Sequence, residues 1–204
     1  MPASQHPSPT LRDCVYGQAV GDALGVPYEF RARGTFECTD MVGHGSHNQP
    51  AGTWSDDTSM ALATCDSIRA TGRGRTGDEV HAVSAITHAH ATSCEACVRM
   101  VRVARRLIAG EGPRDVAGDF VGVPASQIRS GGFVLDTERA ALWCLANTSS
   151  YAECVLAAVN LGDDTDTTAA VAGGLAGIAY GMEGIPGEWL DALLGKATID
   201  ACLF

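Results

Sequence analysis

Hydrophobic residues recur at steps of three and four positions along most of the chain, which is the spacing of one face of an α-helix. Alternating apolar and polar positions are scarce, and their best example is the stretch GGFVLD at 131–136. The pattern therefore predicts an all-α fold with room for one short strand at 131–136. The predicted helices are 11–24, 59–68, 82–108, 137–145, 152–161, 167–180 and 189–194.

The segments between these helices show no domain boundary. Intervals 31–53 and 110–130 carry Gly, Pro and Asn and are predicted as loops. At 204 residues the chain is long enough for one well-buried domain and short for two. We predict a single domain over 11–204 after a disordered tail at 1–10, whose Pro and Ser residues lack the apolar centre of a secretory signal.

The composition limits the possible binding partners and the cellular compartment. Acidic residues number 24 against 14 basic ones, and duplex nucleic acid is disfavoured because its grooves need dense Lys and Arg. The longest apolar run, at 169–182, is shorter than the roughly 20 residues that cross a bilayer, so no membrane partner is expected. The eight cysteines mostly sit in apolar helical contexts, which predicts free thiols in a reducing, cytoplasmic setting.

Two predicted helices carry glycines four positions apart on one face. A glycine inside a helix costs about 1 kcal/mol relative to alanine, so these glycines need a compensating contact, most simply a close approach of two helix backbones. Such packing would bring Asp22 and Glu29, near the first trio, close to the acidic residues that precede the second. The trios are Gly17, Gly21 and Gly25, and Gly173, Gly177 and Gly181.

Paired aspartates and hydroxyl residues precede two of the predicted helices, in GTWSDDTSM at 52–60 and in LGDDTDTTAA at 161–170. One explanation is helix capping, with Ser55 or Asp163 as N-cap and the other acids facing the positive end of the helix dipole. One cap per helix suffices, however, and neighbouring carboxylates repel each other unless a positive charge offsets them. Neither segment contains Lys or Arg, so a bound cation is the natural offset.

The ligands in these segments are carboxylate and hydroxyl oxygens, which suit Mg²⁺, Mn²⁺ or Ca²⁺ rather than zinc. The five aspartates are enough for two ions, and paired ions can orient the oxygens of a substrate and activate a water.

Two other motifs are weaker candidates for function. GRGRTG at 72–77 matches a dinucleotide-binding fingerprint, but it follows a helix rather than a strand. The His and Cys residues of 88–97 have spacings that could bind zinc, but they fall inside one predicted helix.

Four segments together resemble the ADP-ribosylglycohydrolases, a family that includes the dinitrogenase reductase-activating glycohydrolase and the ADP-ribosyl-acceptor hydrolases. The segments are GQAVGDALGVPYEF at 17–30, PAGTWSDDTSMALA at 50–63, SGGFVLDTERAALW at 130–143 and NLGDDTDTTAAVAGGLAGIAYG at 160–181. They occur in the family's order, and the resemblance covers nearly the whole chain. It implies a compact orthogonal all-α bundle with a central site for two divalent cations, Mg²⁺ or Mn²⁺.

The resemblance also implies roles for individual residues. Glu29 matches the family's mobile glutamate, which handles the attacking water or the leaving group, and it shares the catalytic role with Asp57. Asp22, and Asp163 at a position often given to Gly, are expected to lie behind the metal ligands. The matching ligands are Ser55, Asp56 and Asp57 from the first segment and Asp164, Asp166 and Thr167 from the second.

Two Gly-rich stretches are candidates for substrate binding. GHGSHNQPAG at 43–52 resembles the family's Gly-rich loop, and the alternative is a polar surface loop without a role. SGGFVLDT at 130–137 offers backbone amides that can cradle a phosphate beside the helix that follows. The residues expected to face the substrate are His44, Ser46 and Asn48 in the first stretch and Ser130, Gly131 and Gly132 in the second.

The implied reaction is hydrolysis of the bond between the anomeric carbon of ADP-ribose and an acceptor nitrogen or oxygen, on a protein or a small molecule. The alternative is a non-catalytic ADP-ribose-binding or scaffold protein, because family members usually carry extra helices where this chain has only 71–84. Those helices hold Asn-Gly and Met-Arg segments that line the nucleotide pocket, so a more open cleft is expected here. The acceptor and the oligomeric state stay open.

Overall fold

The computed structural model describes residues 8–72 and 76–204. Within these residues the chain forms ten α-helices, joined by loops and single 3₁₀ turns, and no strand. This architecture confirms the all-α prediction. The helices are α1 (Leu11–Gly25), α2 (Asp56–Thr71), α3 (Gly77–Thr87), α4 (Ala91–Ile108), α5 (Pro113–Val116), α6 (Val134–Asn147), α7 (Tyr151–Asn160), α8 (Thr165–Tyr180), α9 (Gly187–Ala192) and α10 (Lys196–Cys202).

The short strand that the sequence allowed at 131–136 does not form. Val134 begins α6, and the amides of Asp136 and Thr137 donate to the carbonyl of Phe133 over 2.8 and 3.2 Å, which is a helical pattern of hydrogen bonds. A short apolar run that follows glycines does not distinguish a strand from the first turn of a buried helix.

The long helix predicted at 82–108 is two helices. α3 ends at Thr87, and His90 caps α4 by accepting a hydrogen bond from the amide of Thr92 over 3.2 Å. His88 lies between them with φ of −135° and ψ of 79°, outside the helical region. The apolar spacing continues through this break, so the periodicity does not locate it. The short helices α5 and α10 also lie outside the predicted set.

α1 and α8 run antiparallel in direct contact, and their glycines permit the close approach. A Cβ atom on Gly17 would overlap the carbonyl of Gly173, and one on Gly21 would overlap the carbonyl of Ala169. Gly25 in the same way packs on the backbone of α8 at its first turn. The contact therefore sets the end of α1, and the loop that follows it, against the start of α8.

Buried apolar side chains of α1, α6, α7 and α8 form one continuous core around this pair. Tyr151 of α7 is wholly buried and donates its hydroxyl to the carbonyl of Gly17 over 2.6 Å. α3 differs from these helices, because none of its residues is buried and Val83 and Ile86 are exposed. It packs on α4 at one side of the bundle.

Two predicted features fall partly outside the described residues. Of the predicted tail, residues 1–7 are outside, whereas Thr10 caps α1 in a capping box with Asp13. Residues 73–75 of the GRGRTG stretch are outside as well. Among the helices of 8–72 and 76–204, none has the length and hydrophobicity to span a bilayer.

Candidate functional site

The first acidic segment begins α2, and a buried aspartate of α1 holds its backbone. Asp22 has no exposed surface and accepts hydrogen bonds from the amide of Ser55 at 2.9 Å, from the amide of Thr58 at 3.0 Å and from its hydroxyl at 2.5 Å. Ser55 caps α2 through its side-chain oxygen, which accepts from the amide of Asp57 at 3.2 Å. The carboxylates of Asp56 and Asp57 are therefore not needed for capping.

The second acidic segment begins α8 and is fixed on the end of α1. The hydroxyl of Thr165 donates to the carbonyl of Gly25 over 2.8 Å, while Asp164 stands at the N-cap without a side-chain capping bond. The hydroxyl of Thr167 donates to a carboxylate oxygen of Asp57 over 3.0 Å. This hydrogen bond joins the two acidic segments, although its partners are 110 positions apart in the sequence.

Glu29 reaches the second segment from the loop after α1. Carboxylate oxygens of Glu29, Asp164 and Asp166 lie within 4.8 Å of one another. The amide of Phe30 donates to the carbonyl of Asp163 over 2.7 Å, and the amide of Asp163 donates back to the same loop over 2.8 Å. Phe30 and Asp163 have φ of 66° and 62°, a left-handed conformation that is uncommon for non-glycine residues. The paired backbones hold both residues in it.

Arg33 ties three loops together beside this cluster. Its guanidinium donates to the carbonyls of Leu161 at 2.6 Å, Ala125 at 2.7 Å and Ile128 at 2.7 Å. A longer bond of 3.3 Å reaches the hydroxyl of Ser130. The planar guanidinium carries five N–H donors, which explains how one side chain serves several acceptors. The loop after α1 is thereby attached to the segment that precedes α8.

None of the ion pairs among the described residues involves Asp57 or Asp166, whereas Glu29 contacts His47. Burial, with the charge of Asp22 next in importance, raises the pKa of Asp57 to about 6. Burial, with the charge of Glu29 next, raises the pKa of Asp166 to about 8. Oδ1 of Asp166 is buried and has no hydrogen-bond partner among the described residues. A hard divalent cation would satisfy this oxygen and offset the repulsion, so the donor set fits such an ion.

The junction opens into a cleft of about 620 Å³. A pocket of about 460 Å³ adjoins it between α3, α4, α6 and α8, and the two share His88, Gly132 and Thr167. Apolar atoms, among them those of Met100 and Phe133, form most of the surface of the adjoining pocket. The cleft itself is acidic, whereas its extension is apolar.

Most of the residues predicted for the site line this cleft, and their roles there stay predictions. Ser55 lies instead on a cavity of about 360 Å³ on the other side of the carboxylates. The predicted residues on the cleft wall are Glu29, Asp56, Asp57, Gly131, Gly132, Asp163, Asp164, Asp166 and Thr167.

Four predicted substrate-binding residues take other positions. Nδ1 of His44 lies 3.0 Å from Oδ1 of Asn48, and both side chains are exposed. Ser46 donates to the carbonyl of Glu29 over 2.6 Å. Ser130 is buried and donates to the backbone just before α8 over 3.0 Å. These four are not among the described residues that line the cleft, and their bonds shape the loops around it.

His47, Gln49 and Trp54 belong to the site and are absent from the predicted set. Nε2 of His47 lies 2.5 Å from Oε2 of Glu29, and all three residues line the cavity on the far side of the carboxylates. Their signal in the sequence is their position in and after the Gly-rich loop, and Trp54 also lies in the segment 50–63 that resembles the family. Two residues of that loop have φ of 69° and 51°, and such left-handed turns make the direction of a neighbouring side chain unpredictable from spacing.

The sequence matches one protein family along nearly its whole length. The family model described as ADP-ribosylglycohydrolase matches residues 6–81 and 74–203. The two matches overlap at 74–81, inside the interval 71–84 where the sequence analysis expects helices of the family to be missing.

Individual relatives agree with this match. ADP-ribosylarginine hydrolase Tri1 of Serratia proteamaculans (strain 568) is 27% identical over 278 aligned positions, which cover 92% of this chain and 76% of that protein. ADP-ribosyl-[dinitrogen reductase] glycohydrolase of Rhodospirillum rubrum is 36% identical over 124 positions, covering 56% and 42%. A solved structure named ADP-ribosylglycohydrolase-related protein complex superposes with a TM-score of 0.81 at 28% identity, covering 93% of this chain and 94% of that one.

Proposed function

The chain belongs to the ADP-ribosylglycohydrolase family, and from that premise we propose that it hydrolyses the glycosidic bond between ADP-ribose and an acceptor group. One observation carries the proposal. The two acidic segments meet, through the 3.0 Å bond from Thr167 to Asp57, on the wall of an open cleft. A junction of carboxylates beside a cleft can bind cations and reach a substrate at the same time.

We assign two divalent cations, Mg²⁺ or Mn²⁺, to this junction. Two observations support the assignment. Oδ1 of Asp166 is buried without a hydrogen-bond partner among the described residues, and burial together with the neighbouring carboxylates raises the pKa of Asp57. Bound cations of this kind supply polarisation of hydroxyl and water oxygens. The residues that would hold them are Ser55, Asp56, Asp57, Asp164, Asp166 and Thr167.

Glu29 is placed to move a proton. It lines both the cleft and the cavity on the far side, and its carboxylate lies within 4.8 Å of those of Asp164 and Asp166. From there it can accept a proton from an attacking water or give one to the departing acceptor. His47 and Ser46 hold it in place through the contacts to its carboxylate and its carbonyl.

The ADP end of the substrate is assigned to the turn before α6. Gly131 and Gly132 line the cleft there, and α6 begins two residues later at Val134. Backbone amides at the start of a helix are suited to phosphate oxygens. The diphosphate would then lie against this turn, with the distal ribose at the carboxylates.

The proposed acceptor is an arginine side chain, because a relative that aligns with 92% of this chain is named for ADP-ribosylarginine. We place the reaction in the cytoplasm, since all eight cysteines are free thiols, and we assign it to one domain over 11–204. A duplex nucleic acid is not a proposed partner, because the formal net charge is −10.

Incubation with two ADP-ribosylated peptides tests the proposal, one modified on arginine and one on serine, each with Mg²⁺, with Mn²⁺ or with EDTA. We expect ADP-ribose to be released from at least one peptide when metal is present and not with EDTA. Asp57→Ala should abolish release while the helical circular dichroism stays the same. Peptide binding without release, in the presence of either metal, would instead support a non-catalytic ADP-ribose-binding protein.

A further inference from the structure

Two separate cavities share the carboxylates of the site. Glu29, Asp56 and Asp166 line the cleft described above and also the cavity of about 360 Å³ on their other side, which we name the rear cavity. Gln49 and Trp54 also line it. A bond held at these carboxylates therefore borders both cavities.

A glycoside also has two parts, one on each side of the bond that breaks. The cleft continues into the apolar pocket beside α6, whereas the rear cavity leads towards the Gly-rich loop. We propose that the rear cavity binds the acceptor side of the substrate, and that Gln49 and Trp54 select a guanidinium group there. This inference rests on the proposed function.

The charge of the rear cavity favours a cation. Three carboxylates line it, and no Lys or Arg does so within the parts of the chain that the structure describes. Asp56 and Asp166 are also assigned to the cations, so the net charge of the whole junction decides what the rear cavity attracts. The junction and its surroundings hold seven carboxylates, so the four charges of two divalent cations leave it net negative. They are Asp22, Glu29, Asp56, Asp57, Asp163, Asp164 and Asp166.

Trp54 gives this cavity a fixed aromatic wall. Its indole N–H donates to the carbonyl of Leu194 over 2.9 Å, so the ring does not need a polar partner from the substrate. Gly195 packs directly on the same ring, where a Cβ atom would lie 3.0 Å from it. A planar guanidinium stacks favourably on an aromatic face, and a serine hydroxyl gains nothing comparable.

Gln49 adds a neutral acceptor to the same wall. Its Nε2 donates to the carbonyl of His47 over 3.4 Å, and its Oε1 has no hydrogen-bond partner within the described residues. The forked N–H groups of a guanidinium need several acceptors. Gln49 and the carboxylates that line the cavity offer such acceptors.

Kinetics on two peptides of the same sequence, ADP-ribosylated on arginine or on serine, test this assignment. We expect the wild type to prefer the arginine peptide in kcat/KM by more than about tenfold. Gln49→Leu and Trp54→Leu should each lower kcat/KM for that peptide about tenfold, the size of a lost charged hydrogen bond or cation–π contact, and should lower it clearly less for the serine peptide. Trp54→Phe keeps an aromatic ring and should retain the preference. Gln127→Leu is the matched control on an exposed glutamine outside both cavities.

Calorimetry on the Mg²⁺-loaded protein gives a readout that does not depend on turnover. L-arginine amide should bind at least about fivefold more tightly than L-citrulline amide, which has the same shape without the charge, and Trp54→Leu should remove the difference. Equal affinity for the two amides would overturn the inference, as would an equal effect of Trp54→Leu on the arginine and serine peptides. Failure to cleave either peptide would refute the proposed function, and the calorimetry would still decide the rear cavity.

Discussion

The two acidic helix starts look alike in the sequence but are held in different ways. At the start of α2, Ser55 caps the helix and the buried Asp22 accepts the remaining donors. At the start of α8, the N-cap residue Asp164 makes no side-chain capping bond, and Oδ1 of Asp166 is buried without a partner. Asp163, the capping candidate, precedes the N-cap in a left-handed conformation.

This difference separates structural acids from acids that need a ligand. Capping accounts for Ser55. It also accounts for Asp22, which lies in α1 and accepts hydrogen bonds from amides at the start of α2. It does not account for Asp166, whose burial is unfavourable unless something positive approaches it. The capping of the first start is therefore complete within the protein, whereas Asp166 at the second start needs the cation that we propose.

The largest expected effect is on Asp166. Asp166→Asn should reduce turnover roughly 10³-fold, because a lost metal ligand removes several kcal/mol of transition-state stabilisation. With EDTA present, the variant should unfold at the same temperature as the wild type or a higher one, because the repulsion among carboxylates is reduced. Steady-state kinetics and calorimetric unfolding measure the two quantities. Asp163→Asn is the matched control, since Asp163 is exposed and asparagine tolerates its left-handed backbone.

Asp22 should matter more for folding than any single bond at the start of α8. Asp22→Ala leaves two amides and one hydroxyl without an acceptor in the interior, and we expect a loss of about 2–4 kcal/mol in the free energy of unfolding. Thr165→Val removes one bond at the other helix start and should cost about 1 kcal/mol. Urea denaturation of both variants measures the difference. Equal losses would show that the two starts do not differ in the way described.

Arg33 should act on the metal site from a distance. Arg33→Gln removes the bonds to three backbone carbonyls and loosens the loop that carries Glu29. We expect Mn²⁺ affinity to fall about tenfold, the lower range for residues that support metal ligands, with little change in the apolar core. Isothermal titration calorimetry tests this expectation. Arg31→Gln should leave Mn²⁺ affinity unchanged, because that guanidinium lies over the rings of Tyr28 and Phe36.

The last expected effect is the pH dependence of the metal-free protein. Burial raises the pKa of Asp166 from 3.8 to about 8 and that of Asp57 from 3.8 to about 6. The folded state therefore binds more protons than the unfolded state between pH 3.8 and about 8. The free energy of unfolding therefore falls as pH rises through this window. With EDTA present, the melting temperature should be higher near pH 5 than near pH 8, and Mg²⁺ should restore it at the higher pH. A melting temperature that rises over this range would contradict the assignment.

The sequence was informative where periodicity and repeated motifs coincide. The glycine spacing predicts the close contact of α1 and α8, and the structure shows it through Gly17, Gly21 and Gly25. The motif around Asp57 and the motif around Asp166 each lie at a predicted helix start, and the helix contact brings them together. Glycines that recur every four residues indicate close packing of helix backbones directly, because only glycine permits it.

The sequence was less informative where loops and caps decide the geometry. His90 caps α4, a role that sequence rules give mainly to Ser, Thr, Asp and Asn. The apolar spacing also continues across the break between α3 and α4, so neither signal predicts that break. Gln49 and Trp54 face the rear cavity because of left-handed turns nearby, which spacing along a loop does not encode. Arg33 donates to backbone carbonyls. Every residue has one, so the sequence does not indicate which of them Arg33 contacts.

Anomalous diffraction from crystals soaked in Mn²⁺ is the most direct test of the central claim, that the two acidic segments bind the same ions. The account predicts two manganese peaks between the carboxylates of Asp57 and Asp166, with Oδ1 of Asp166 as a ligand. Manganese bound only by one of the two segments, or only at the protein surface, would contradict it.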